Sequence, residues 1–423
     1  MTYNNLENTT QLQEINIEEF NTIYLNNNNL TINNKEFNNI KAININGEKI
    51  ESTNLEVWIG WEGTDLLKEI ITNWGKNNNI KINIINATNT ASRLKTVNKS
   101  KTTPPDLVLV ADSNLIDLFN DNTIQALPKY LFNDVNSTIM NKLSFNGKYY
   151  ASPFYYDVQL LFYNPNLIDL DKYDNLSLSN LEYEANKIKN KVEVPLTWNS
   201  YSLYWLLPFI YSYNTNDSID FDNDLSINNK PTYDAISYIK ELNEKPYFKP
   251  LEKNAMLSYF INKKAAAILS ASYSIPYFDQ LGIDYEVAPL PINDITNQRL
   301  KPLIDSKVFV IPKGSHNTIL SYRLLQYLMS YKIQKQFCLS QFKLSANETV
   351  EKVFEETNSY YKKILKNKEA FQLIPNNENY QTYKNILWKL LRFVFTDQLT
   401  VNEVIEKGEQ LLINNKKEIG EEK

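Results

Sequence analysis

Between residues 55 and 111 short apolar runs alternate with segments of helical spacing, and this alternation restricts the fold more than any other feature of the chain. Residues 55–59 (LEVWI) read as a buried strand. After the turn Gly60-Trp61-Glu62-Gly63, residues 64–79 place Leu66, Leu67, Ile70, Ile71 and Trp74 at helical spacing, with Thr64 as the expected N-cap. Residues 80–85 (IKINII) form a second strand, TASRLKTVNKSK a second helix and residues 106–111 (DLVLVA) a third strand. That order belongs to a parallel, doubly wound sheet. In such sheets ligands meet the loops at the carboxyl ends of the strands, here 60–63 and 112–114. Trp61, Glu62, Asp112 and Ser113 are therefore candidate binding residues, with helix capping the simpler reading of Asp112 or Ser113.

A chain of 423 residues is too long for one ordinary core, so two lobes are expected. Its net charge of −5 gives no basic footprint for nucleic acid. One Cys and one His exclude a disulfide framework and the usual Cys/His zinc sites. Cys338 lies on the apolar face of an expected helix, as a structural thiol would. His316 follows the turn at 312–315, at a helix start or in solvent, and a Ser-His-Asp or Cys-His mechanism would have to use it with no nucleophile elbow in the chain. No apolar run is long enough to cross a bilayer, and 203–213 is broken by Pro208. Residues 1–54 are an Asn-rich polar extension, a tether or small β-appendage with a hairpin expected around Asn46-Gly47.

Residues 146–167 (NGKYYASPFYYDVQLLFYNPNL) combine a glycine turn, an almost unbroken apolar run over 154–163 and an Asn164-Pro165 breaker. One carboxylate, Asp157, sits in that run. A charge there costs several kcal/mol unless it is paired or faces a wet cavity. It is either a satisfied structural acid or a polar anchor on the floor of a ligand cleft, and both readings stand at this point.

LEVWIGW, IKINII, PPDLVLVADS and NGKYYASPFYYDVQLLFYNPNLI recur in the order of the extracellular solute-binding proteins of ABC importers, and the chain resembles their carbohydrate-binding, maltose-binding-protein-like group. KKAAAILSASYSIPYF, IDYEVAPLPI, PLIDSKVFVIPKGS and NILWKLLRFVFTDQLTVNEVIEKGEQLL continue the likeness, which spans about 55–412. Two motifs depart from the family: its Gly-Pro-Trp turn stands here as Ala271-Ser272-Tyr273, and its Gly-rich approach to VFVIP as Leu303-Ile304-Asp305.

The resemblance implies a two-lobe α/β fold of the periplasmic-binding-protein type (class II), with discontinuous lobes joined by hinge crossovers. It places crossovers near 155–157, near 288–291 and in the helix near Leu328. The expected lobes are 55–156 plus 290–327 and 157–289 plus 328–423. It also implies that no reaction is catalysed, no cofactor is needed and the partners are a small solute, expected to be a sugar, and a membrane permease. A monomer outside the cytoplasm is expected, the family's leader and lipid anchor lying outside the given chain.

Binding a sugar needs carboxylates and other hydroxyl-matched groups together with flat aromatic faces. The resemblance assigns Asp157 to the acidic ligand position and Tyr273 to the stacking ring, and it raises Tyr204, Trp205 and Asp305. Tyr156, beside Asp157, and Trp388, on an amphipathic helix, complete the candidates. A polyamine is the chief rival ligand, because Glu62, Asp112, Asp157 and Asp305 could supply several carboxylates. A carbohydrate-active enzyme would need two acids flanking a glycosidic bond, imaginable only as Asp157 with Glu62. A surface adhesin that has lost solute binding is the remaining alternative.

Overall fold

The structure is a computed structural model that describes residues 54–421 apart from 133, 136, 216–218, 220 and 222–224; before residue 54 it describes six short strands alone. Gln13–Ile17, Ile40–Ile45 and Glu48–Lys49 form one three-stranded sheet, and Ile23–Asn26, Asn29–Ile32 and Lys35–Phe37 another. The strands flanking the expected hairpin turn pair antiparallel, Ile45 opposite Glu48, while Asn46 and Gly47 themselves lie outside the described residues.

From residue 54 the elements that position the candidate residues run as follows. β1 (Asn54–Ile59), α1 (Thr64–Asn77), β2 (Lys81–Asn86), α2 (Thr90–Ser100) and β3 (Leu107–Ala111) realise the alternation read in the sequence. Then come β4 (Ser152–Tyr163), α3 (Leu178–Lys187), β5 (Val194–Thr197), α4 (Leu203–Tyr213), α5 (Lys230–Asn243), α6 (Lys253–Ile261), β6 (Ala265–Ala271), β7 (Glu286–Ala288) and β8 (Leu303–Val310). α7 (Thr318–Met329), α8 (Tyr331–Gln341), α9 (Glu378–Phe395) and α10 (Val401–Glu421) follow. Two compact units result. The first comprises Met1–Tyr155, Ser306–Gln341 and Ser345–Glu351, the second Tyr156–Asp305, Phe342–Leu344 and Lys352–Lys423.

In the first unit β1 runs parallel to both β2 and β3, and β8 lies antiparallel to β3 with Val308 opposite Val110. β3 is buried at every residue, as a strand covered on both faces must be. α1 turns Leu67, Ile70, Ile71 and Trp74 inward. Its cap is Gly63 rather than Thr64: Gly63 has φ +75°, and a Cβ there would meet Phe337 and Gln341 of α8 at 2.9 Å. Thr64 instead is the first helical residue, and its hydroxyl donates to Trp61 O at 2.6 Å. Asp106, at the edge of β3, accepts from Glu56 N, Ser315 Oγ and Asn317 N, which fixes the entry to α7.

In the second unit β6 lies between β5, to which it is parallel, and β4, to which it is antiparallel, and β7 also pairs with β4. All twelve residues of β4 are buried. α4 continues through Pro208 where the sequence suggested a break. Proline has no N–H to donate to the carbonyl of residue 204. Gln159 of β4 supplies the missing donor, its Nε2 reaching Tyr204 O at 2.6 Å, while its Oε1 accepts from Leu303 N at 2.9 Å.

The chain passes between the units at Tyr155/Tyr156, but two other crossings differ from expectation. Residues 288–291 do not leave the second unit, because Ala288 is held opposite Leu161 in the β7–β4 pair; the chain leaves along β8, between Asp305 and Ser306. α7 and α8 belong to the first unit throughout, so Leu328 is no crossing. Residues 342–344 visit the second unit, and the last passage falls between Glu351 and Lys352.

Candidate functional site

Asp157 is 1% exposed, and its neighbours decide its role. Lys343 Nζ, itself fully buried, lies 2.8 Å from Oδ2. Ser272 Oγ donates to Oδ1 at 2.7 Å while accepting from Val158 N at 3.1 Å. Both carboxylate oxygens are thus engaged by groups of the same unit, and the satisfied-acid reading prevails over that of an open cleft-floor anchor. A buried pair of this kind is costly to assemble and more costly to break. Lys343 is held in turn: its carbonyl accepts from Tyr361 OH at 2.9 Å, and Phe342 stacks on Tyr361 at 4.9 Å.

Around this pair the second unit gathers three more of the expected residues. Tyr204 is part-exposed as a residue, yet its hydroxyl is buried without a hydrogen-bond partner among the described residues. Burial pushes its pKa well above the usual value, and the charge of Asp305 adds to this, with smaller contributions from Tyr273 and Asp157. Asp157, Tyr204, Tyr273 and Asp305 therefore share one electrostatic neighbourhood. The Tyr204 hydroxyl stays protonated there, as a donor that a bound hydroxyl or carboxylate could meet. Trp205 is buried and braces the Tyr204 ring edge-on at 4.9 Å, so it supports the site and offers no face to a ligand.

Tyr273 lies in the turn Ser272–Ser274 that follows β6 and is part-exposed. One face of its ring is covered by Lys253 Nζ, 4.0 Å from the centroid. Next to Lys253, Glu252 accepts from Asn199 Nδ2 at 2.8 Å and from Arg392 Nη2 at 3.3 Å. Arg392 in turn lies over the ring of Tyr201 at 5.7 Å. The loop between β5 and α4, the start of α6, the end of β6 and α9 are thereby stitched into one surface.

Tyr156 is buried in the core and corrects the expectation of a ligand-facing ring. Trp388 is 64% exposed on α9, and no described ring or cation contact ties it to the others. A separate cavity of about 310 Å³ opens at the start of α5, lined by Asn228, Lys230, Tyr233, Asp234, Asn402 and Glu406 among others; it contains no expected residue.

In the first unit Asp112 is fully buried and pairs with Lys142 Nζ at 2.8 Å, with Ser306 N 3.4 Å from the same oxygen. It makes no capping hydrogen bond, which corrects the capping reading, and its charge is already met by Lys142. Its other oxygen has no partner among the described residues, nor has the buried Ser306 hydroxyl. Trp61 is 45% exposed with φ +73°, and Lys307 Nζ sits over its ring at 4.5 Å. Glu62 and Ser113 are part-exposed beside these groups in sequence.

Sequence reasoning named the acids and rings but missed the cations that engage them: Lys142, Lys253, Lys307 and Lys343. For Lys343 a signal existed, since a lone charge between Phe342 and Leu344 demands a partner just as Asp157 does. The polyamine reading needs carboxylates facing the ligand, and Asp112 and Asp157 are already neutralised by lysines. No group of three or more His, Cys, Asp or Glu placed to hold a metal occurs among the described residues.

The family model described as bacterial extracellular solute-binding protein matches residues 69–365. The maltodextrin-binding protein MdxE of Bacillus subtilis is 22% identical over 288 residues, 64% of this chain and 68% of that protein. The maltotriose-binding protein of Pyrococcus abyssi is 22% identical over 246 residues, 56% of this chain and 53% of the relative's own length. The crystal structure of the maltose-binding periplasmic protein MalE of Listeria monocytogenes in complex with maltose aligns with a TM-score of 0.71 at 17% identity. It covers 86% of this chain and 97% of its own.

Proposed function

Because the chain belongs to the bacterial extracellular solute-binding proteins, we propose that it is the substrate-binding component of an ABC importer and that its solute is a sugar or oligosaccharide. As a member of that family it is a binding protein and not an enzyme. The family acts outside the cytoplasm, and no helix among the described residues is long and apolar enough to cross a membrane. A lipid anchor, a monomeric state and a permease partner belong to the proposal.

The observation that carries the sugar reading lies in the second unit. An unpartnered buried hydroxyl at Tyr204, the part-exposed ring of Tyr273 and the carboxylate of Asp305 occupy one neighbourhood, with Asp157 and Lys343 beneath as a neutral pair. These groups offer a donor, a flat apolar face and an acceptor, the three things that a sugar ring uses. The printed names of both curated relatives, which bind maltodextrin and maltotriose, support the same class. Trp61 and Glu62 of the first unit are proposed as further contacts, and Ser113 and Trp388 as peripheral ones.

The test is a thermal-shift screen of the whole chain with maltotriose, longer maltodextrins, monosaccharides and spermidine, followed by calorimetry on the hits. A sugar that binds N and not U raises stability by RT ln(1 + [L]/Kd), about 2.7 kcal/mol at a hundredfold excess over Kd. Saturable stabilisation by a sugar without turnover, weakened at least tenfold by Tyr204→Phe, is expected. Stabilisation by spermidine alone would refute the proposal. Closure of the lobes upon the sugar is part of it, and small-angle scattering with and without ligand reads it as a smaller radius of gyration.

A further inference from the structure

Several of the expected acids and rings are met by cations. Lys343 neutralises Asp157, Lys253 covers Tyr273 and Arg392 covers Tyr201 in the second unit; Lys142 neutralises Asp112 and Lys307 covers Trp61 in the first. A site for a neutral sugar presents bare ring faces and open carboxylates. Here Asp157, Asp112, Tyr273 and Trp61 each meet a positive charge.

Lys253 carries the argument furthest. Its ammonium is at the start of α6 on an exposed residue, 4.0 Å from the Tyr273 centroid, and no carboxylate pairs with it among the described residues. The neighbouring acid, Glu252, is directed to Asn199 and Arg392. Asp157 is neutralised by Lys343, and the Asp305 carboxylate acts on Tyr204, so the charge near Tyr273 that meets no carboxylate among the described residues is the Lys253 ammonium. A cation parked on an aromatic face at an exposed site is held only weakly. An anionic group offers it a charge-assisted hydrogen bond roughly twice as strong as a neutral one. A sugar ring that approaches Tyr273 either displaces the ammonium for nothing or, if it bears an anion, binds it.

We infer that the solute is an acidic oligosaccharide, one that carries a carboxylate or sulfate, and that Lys253 over Tyr273 is the residue that selects for the charge. This rests on the sugar-binding reading and adds the ligand's charge to it. The surface then divides its tasks: Tyr204 and Asp305 match hydroxyls, Tyr273 receives the sugar face, and Lys253 swings from that ring to the anion.

The experiment is calorimetry on the full chain with two matched pairs: trigalacturonate against the same trisaccharide with its carboxyls reduced to primary alcohols, and lactose 3′-sulfate against lactose. The acidic member of at least one pair should bind about tenfold more tightly, with a preference that shrinks in 0.5 M NaCl. Lys253→Met should reduce that preference to twofold or less, and Lys253→Arg should retain most of it. Lys253 is exposed, and circular dichroism confirms that the variants are folded. Equal or tighter binding of the neutral member in both pairs, or a preference that survives Lys253→Met, overturns this inference and leaves the sugar reading standing. Failure of every sugar to bind, maltotriose included, overturns both.

Discussion

Replacing Asp157 by Asn removes one charge and almost no volume, which makes it the cleanest perturbation of the second unit. The asparagine keeps an oxygen to accept from Ser272 Oγ at the 2.7 Å position of Oδ1, but it leaves the fully buried Lys343 ammonium without its carboxylate. Breaking a buried pair by neutralising one partner costs about 3–5 kcal/mol, because the survivor's desolvation is no longer offset. For a domain of this size each kcal/mol moves the midpoint by roughly 2–4 °C, so the melting temperature of the second unit should fall by about 6–20 °C. Lys343→Met should cost a similar amount. The double variant Asp157→Asn/Lys343→Met should be more stable than either single one, since no uncompensated charge remains. Equilibrium unfolding in urea, followed by tryptophan fluorescence and calorimetry, gives the coupling energy, expected to exceed about 2 kcal/mol. A loss below about 1 kcal/mol for Asp157→Asn, or a double variant whose loss is the sum of the singles, would refute the buried-pair account and restore Asp157 as an acid available to ligand.

Two further outcomes follow from the geometry. Burial holds the phenol pKa values of Tyr163, Tyr204, Tyr238, Tyr247, Tyr285 and Tyr383 above the usual value of about 10, helped at Tyr163 by Asp171, at Tyr238 and Tyr247 by Glu182 and at Tyr285 by Asp279. A raised folded value contributes stability that is fully present below pH 10 and lost as pH rises above it, so the midpoint should fall steeply above pH 10, and absorbance at 295 nm should show a set of tyrosines that ionise only on unfolding. Gly63→Ala, forced to φ +75° with its Cβ 2.9 Å from Phe337 and Gln341, should destabilise the first unit by about 1–3 kcal/mol in urea titration, and a change within 0.5 kcal/mol would contradict the cap geometry.

The framework was legible because periodicity is a local property. The runs that form β1, α1, β2, α2 and β3 each declare their period within a dozen residues, and their order leaves few topologies. Crossings are non-local. Nothing in residues 288–291 says that Ala288 will pair with Leu161 and stay in the second unit, and nothing in the α7 sequence says which unit it covers. The Pro208 break failed for the same reason. Whether a proline ends a helix depends on whether another group satisfies the carbonyl it abandons, and Gln159 lies 45 residues away from Tyr204.

At the candidate site the same division holds between residue type and partnership. Asp157 could be named from the sequence because an acid in an apolar run is conspicuous by type, and the family resemblance pointed to Tyr204, Tyr273 and Asp305. The lysines could not, because lysine is the residue most readily explained as solvated surface. Yet Lys343 and Lys142 are buried, and Lys253 and Lys307 lie on rings, so the electrostatic character of the surface is set by residues that a scan for acids and aromatics passes over. A carboxylate found by type alone suggests a cationic or hydroxylated guest. The same carboxylate with its lysine is a neutral pair, and the charge still to be matched is the ammonium of Lys253, which calls for a negative guest.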